Sequence, residues 1–209
     1  MAQRTVLVEG VDDRETIKHL CARYDIDCDA ESIRFEDMGG KESLLAELTL
    51  RIKALRVGDA IAVVMDADED AGATWRALRG RLVVAGYSKV PTRLRPGGLT
   101  LAGESRLPAA SVWLLPDNSA HGMLEDFVAM LVPDGDVLAP LAETIVTQVE
   151  ATDRRFSATH RSKAIIHTWL AWQELPGTRM GSALNRRYLD PGRPQAVAFV
   201  QWFRAALSV

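Results

Sequence analysis

Over the first 132 residues the apolar positions alternate between two periods. Thr5-Val6-Leu7-Val8-Glu9 is a short β-branched run, and Ser32-Ile33-Arg34-Phe35-Glu36 alternates in and out. Ala60-Ile61-Ala62-Val63-Val64-Met65 is apolar throughout, the pattern of a strand buried on both faces of a parallel sheet. Between these runs Leu44, Leu45, Leu48, Ile52 and Leu55 recur at helical spacing, which predicts a helix over 42–55. Helices are also expected from Asp12 or Asp13 to about 24, and from Asp70 to about 85, each opened by an acid able to cap free amides.

The rhythm breaks at 91–111, where Pro91, Pro96, Gly97, Gly98, Gly103 and Pro108 surround Leu99-Thr100-Leu101 and predict an inserted loop or small hairpin. A fourth strand, Ser111-Val112-Trp113-Leu114-Leu115, stops at Pro116-Asp117-Asn118 and precedes a helix over 122–131. Beyond Pro133 the pattern is helical only, with helices expected over 136–151, 157–174, 181–189 and 194–207. The expected fold is α/β: a Rossmann-like, mostly parallel sheet flanked by helices over 1–132, with a helical extension, 133–209, packed on it. At helical spacing with Leu170, Val197, Phe199 and Phe203, the residues Trp169, Trp172 and Trp202 read as core.

The chain has 209 residues, 47% hydrophobic and 25% charged, enough to bury a full core. Its longest apolar run is too short for a membrane span. No signal or transit peptide is visible ahead of the early strand, and the expected compartment is the cytoplasm. Cys21 and Cys28 match no disulfide scaffold or common zinc spacing. The net charge of −3 conceals blocks: residues 1–72 carry 17 acids and 9 bases, and 73–116 carry 1 and 7. Residues 117–153 carry 8 acids and no Lys or Arg, and 154–209 carry 2 and 9.

Several acids fall at strand ends. Glu9, with Asp12 and Asp13, follows the first strand; Asp66-Ala67-Asp68-Glu69-Asp70 follows the third; Asp117 follows the fourth, with Glu125 and Asp126 on the next helix. In an open parallel sheet the carboxyl ends of the strands share one edge, where ligands bind. Acids crowded there repel unless a cation neutralises them, and an oxygen-loving Mg²⁺ or Mn²⁺ suits that role. Two such ions would suit in-line phosphoryl transfer. Capping accounts for Asp70 without chemistry, and for Asp12 and Asp13 both capping and metal ligation stay open. Glu9 and Asp66, each directly extending an apolar strand, are the stronger chemical candidates.

Val6-Leu7-Val8-Glu9-Gly10-Val11-Asp12-Asp13 followed by Val63-Val64-Met65-Asp66-Ala67-Asp68 resembles the Toprim domain over about residues 4–132. That fold is shared by type IA and II topoisomerases, bacterial primases, recombination-repair proteins and the overcoming-lysogenisation-defect nucleases. Trp113-Leu114-Leu115-Pro116-Asp117-Asn118 and Leu124-Glu125-Asp126-Phe127 further resemble a small, poorly characterised bacterial Toprim-like family related to those nucleases. The resemblance implies Glu9 as general acid or base and Asp66 and Asp68 as Mg²⁺ ligands. It also implies a second metal, for which Asp13, Asp117, Glu125 and Asp126 are available, and a downstream basic residue that stabilises the phosphorane-like charge, for which Lys163 is the candidate. Gly39-Gly40-Lys41-Glu42-Ser43 lacks the first glycine and the adjacent hydroxyl of a nucleotide-binding loop, so no ATPase is expected in this chain.

Arginines in the two basic blocks, Arg93, Arg95, Arg106 and Arg161 among them, are candidates for phosphate contact. The expected activity is metal-dependent phosphodiester hydrolysis of DNA or RNA, in a defence or repair setting. The alternatives are hydrolysis of a small phosphate ester with the same acids, and a non-catalytic module binding a protein partner such as an ATPase. An enclosed site favours the small ester; an open groove leading to the arginines favours the nuclease.

Overall fold

The computed structural model describes residues 2–104, 106–149 and 151–209; Ser105 of the predicted inserted loop and Glu150 of the predicted 136–151 helix lie outside the described residues. Five strands, β1 (Arg4–Val8), β2 (Ile33–Asp37), β3 (Ala60–Asp66), β4 (Leu99–Leu101) and β5 (Ala109–Leu115), form one sheet in the order β2-β1-β3-β5-β4. The first four of that row are parallel, and β4 runs antiparallel along the β5 edge. The 91–111 segment therefore contains a short strand that extends the sheet. β4 and β5 pair as a hairpin, Leu99 opposite Val112 and Leu101 opposite Ala110.

Alternation along the strands divides the core. Val6, Val8, Ala62, Val64, Trp113 and Leu115 face one layer of helices, while Leu7, Ile61, Val63, Met65, Val112 and Leu114 face the other. The second layer is α2 (Lys41–Ala54) and α3 (Ala71–Ala85), whose Leu44, Leu48, Ile52, Trp75, Leu78 and Leu82 are buried. The first layer is built from α1 (Val11–Ala22), α4 (Leu124–Ala129) and helices from the C-terminal segment. Apolar faces on both sides explain why β3 and β5 are nearly free of polar residues.

The C-terminal segment forms α5 (Leu138–Gln148), a 3₁₀ turn (Ala158–His160) leading into α6 (Arg161–Ala171), α7 (Met180–Asn185) and α8 (Pro194–Leu207). Proline opens α8, where its missing N–H costs nothing. α8 lies against β3 and β5, its Phe199 and Trp202 rings centred 5.3 and 5.5 Å from Trp113. Trp202 Nε1 donates to the Leu99 carbonyl at 3.1 Å, tying α8 to the edge strand. Gly98, at φ +73°, permits that approach, since a Cβ there would sit 2.8 Å from the indole. Trp169 and Trp202 are core, as their spacing predicts, but Trp172 caps α6 and is 38% exposed. Among the described residues no helix is long and apolar enough to cross a membrane.

Candidate active site at the carboxyl edge of the sheet

Strand order reverses between β1 and β3: β2 lies on one side of β1, while β3 and β5 follow on the other. The carboxyl ends of β1 and β3 diverge there into α1 and α3, leaving the crevice where α/β sheets bind ligands. Glu9 follows β1 and Asp66 ends β3. Glu9 Oε1 accepts the Asp66 backbone N–H at 2.9 Å, so the two acids that most directly extend apolar strands meet.

Two more carboxylates join them. Asp13, in the first turn of α1, is buried and accepts the Gly10 N–H at 2.9 Å. Glu125, in the first turn of α4, is 3% exposed, and Lys163 from α6 reaches its Oε1 at 3.1 Å. Asp66 Oδ1 accepts the Leu124 N–H at 2.9 Å, so α4 begins on the acid that ends β3. Oδ2 of Asp66 has no hydrogen-bond donor among the described residues.

The electrostatic consequence is that the buried carboxyls resist ionisation. Burial, then repulsion from Glu9, Asp13, Glu125 and Asp68, pushes the Asp66 carboxyl up to about 9. Burial, with Glu9 and Glu125 adding to it, raises Asp13 to about 7 against the pull of the Gly10 amide. Glu9 is also raised, by burial first and by Asp68, although the Asp66 amide and Lys41 oppose the shift. Burial depresses the Lys163 ammonium, yet its bond to Glu125 and the field of Asp66 and Asp12 more than compensate and hold it charged.

Asp68 sits on the rim. Its backbone is left-handed, φ +55°, and is pinned by paired bonds with Gly122: Asp68 N to Gly122 O at 2.8 Å, and Gly122 N to Asp68 O at 2.7 Å. Its carboxylate is held by Lys41 Nζ at 2.5 Å. Asp117 points elsewhere: it accepts from Ser119 N, Ser119 Oγ and Ala120 N within its own turn, which lowers it. Asp126 accepts the Met123 N–H at 2.8 Å and caps α4, and Asp70 caps α3 through Ala73 N at 2.9 Å. Asp12 is exposed.

Among the described residues no three His, Cys, Asp or Glu side chains already close around a single point that would hold a metal ion. The donor set nonetheless fits a hard divalent cation: it is all oxygen, and its buried carboxyls outnumber the two ammonium groups beside them. Glu9, Asp66, Asp13, Glu125 and Asp68 are the residues that could hold one.

The arginines divide. A surface cavity of about 430 Å³ beside Asp68 is lined by His121, Asp126, Thr159 and Arg161; Arg161 also bonds Thr147 Oγ1 at 2.7 Å. A second, of about 420 Å³, lies at the start of α3 with Arg76, Arg93 and Ser119. Arg95 lines a separate cavity along β4, and Arg106 is an exposed loop residue.

Over residues 3–208 the sequence matches the profile of a family described as proteins of unknown function (DUF3226). The chain belongs to that family. No curated protein matches it. Two solved structures of the C-terminal region of the Xanthomonas campestris pv. campestris OLD protein are similar to this chain, one phased with mercury and one with iodine. Each is 14% identical and is matched over 100% of this chain and 94% or 93% of the other, with TM-scores of 0.43 and 0.44.

Lys41 is the site residue that the sequence conceals. It opens α2, far from any other candidate along the chain, in a segment legible only as a failed nucleotide-binding loop. The available signal is the glycine pair before it. Gly39 and Gly40 take φ +74° and +113°, and Gly40 N donates to the Glu9 carbonyl at 2.8 Å, which brings the start of α2 to the same crevice.

Proposed function

We propose that this chain is a Toprim-type nuclease that hydrolyses phosphodiester bonds of DNA or RNA with Mg²⁺ or Mn²⁺. The observation that carries the reading is the Glu9–Asp66 contact where the strand order reverses, inside a group of buried carboxyls that a bound cation would let ionise. Asp66 and Asp68 would hold the cation, with Asp13 and Glu125 as the second acid group; Asp117 remains with its turn. A bound divalent cation would supply Lewis acidity toward the phosphate oxygens and would make a bound water easier to deprotonate.

The chain's own residues supply the rest. Glu9, raised by burial, is suited to accept a proton from the attacking water and release it to solvent. Lys163, half-exposed and anchored on Glu125, offers its remaining donors to charge developing on the phosphoryl group. Arg161 and Arg93 flank Asp68 and the α3 start, where they would position neighbouring phosphates of a strand. The cavity beside Asp68 opens at the surface next to Arg161, which favours a polymer over a small ester.

A second reading, a non-catalytic module, draws on one observation: Lys41 already neutralises Asp68. Plasmid, single-stranded DNA, single-stranded RNA and p-nitrophenyl phosphate are incubated with Mg²⁺ or Mn²⁺ and wild type, Glu9→Gln or Asp66→Asn protein. The expected result is cleavage of nucleic acid but not of the ester, reduced about hundredfold or more in both variants. No metal-dependent cleavage, or cleavage that survives both substitutions, refutes the nuclease reading.

A further inference from the structure

We propose that Lys41 is a built-in stand-in for the divalent cation: it holds Asp68 in the metal-free protein and is displaced when metal binds. This rests on the metal-dependent reading above and adds the residue that controls loading.

Three observations lead there. First, a lysine is poorly placed at the first residue of a helix, since the helix N-terminus is itself positive. Lys41 occupies that position on α2, and what offsets the cost is its bond to Asp68 Oδ2 at 2.5 Å. Second, among the described residues Lys41 is the only group bonded to the Asp68 carboxylate, while two hydrogen bonds to Gly122 pin the Asp68 backbone. Breaking that one side-chain contact frees the Asp68 carboxylate while its backbone stays bonded to Gly122. Third, the ammonium has somewhere to remain. Lys41 Nζ also bonds Thr74 Oγ1 at 2.6 Å, and that hydroxyl is itself oriented by donating to the Ala67 carbonyl at 2.9 Å.

Two of the five acids are already held by ammonium groups in this structure, Asp68 by Lys41 and Glu125 by Lys163. The first pair is partly exposed, 25% for Lys41 and 40% for Asp68, so the competition is modest. Removing it should tighten metal binding by roughly fivefold, the equivalent of an ion pair worth about 1 kcal/mol.

The test measures Mn²⁺ affinity of the full chain by electron paramagnetic resonance of the free ion. It compares wild type, Lys41→Met, Lys41→Arg, Asp68→Asn and the Lys41→Met/Asp68→Asn double variant, each checked for folding by circular dichroism. Lys41→Met is expected to bind Mn²⁺ roughly fivefold more tightly and Lys41→Arg about as wild type. The gain should vanish in the Asp68→Asn background, because the interaction removed is the one with Asp68. If Lys41→Met does not fold, Lys41→Gln, which keeps a donor for Thr74, carries the same expectation. Unchanged or weaker binding overturns the proposal, as does an equal gain in the Asp68→Asn background, which would mark a general field effect. When wild type binds Mn²⁺, either result leaves the metal reading standing; no Mn²⁺ binding by wild type or Lys41→Met overturns both.

Discussion

Replacing Asp66 with asparagine isolates the charge at the centre of the site. The Leu124 N–H that Asp66 Oδ1 accepts at 2.9 Å finds the same acceptor in the Asn amide, so geometry changes little. Charge changes greatly. Burial and four neighbouring carboxylates hold the Asp66 carboxyl at about 9, against 3.8 in an unfolded chain. The metal-free folded state thus binds a proton that the unfolded state has released at every pH between those values. Its stability falls as pH rises, by at most about 1.4 kcal/mol per unit. From pH 5 to pH 8 the limit is about 4 kcal/mol, and local relaxation and water entry leave about half of that. For a chain of this size 1 kcal/mol shifts the midpoint by about 2–4 °C. Thermal unfolding in EDTA should therefore show the Asp66→Asn advantage over wild type widening by about 4–8 °C between pH 5 and pH 8. A gap that stays constant, or widens toward acid, refutes the account of Asp66 as a buried, repelled carboxyl.

The same melts with Mg²⁺ should reverse the ranking. At a hundredfold excess over Kd the wild type gains about 2.7 kcal/mol and Asp66→Asn gains little; equal gains would place the ion elsewhere. Trp202→Ala removes the indole that packs on Trp113 and bonds the Leu99 carbonyl, and should cost about 3–5 kcal/mol in urea unfolding. Arg93→Ala should weaken single-stranded DNA binding and lower its salt slope by about one charge, while Arg95→Ala, on the separate β4 cavity, leaves both unchanged in fluorescence anisotropy.

The strands were legible because burial on two faces leaves an unbroken apolar run, as in 60–65, that a solvent-exposed segment would not carry. Helix caps such as Asp70 were legible because a cap bonds amides only two or three residues away. Glu9 and Asp66 were visible as acids ending strands, but their contact joins residues 57 apart and depends on β1 and β3 being neighbours. Asp117 also follows a strand and was a candidate for a second metal, yet its own turn supplies three donors to it. Lys41 carried no local mark because its partners, Asp68 and Thr74, come from the next β-α unit.

Sequence alone therefore determined the α/β alternation, the helical C-terminal third and the set of acids at strand ends. These follow from periodicity and capping, which act over a few residues. Tertiary structure decided which of those acids confront one another, that Lys41 and Lys163 are the cations among them, and that Trp172 faces out while Trp202 faces in. Desolvation and Coulomb repulsion depend on burial and separation, and both are settled only when β1 and β3 pair and the helices close over them.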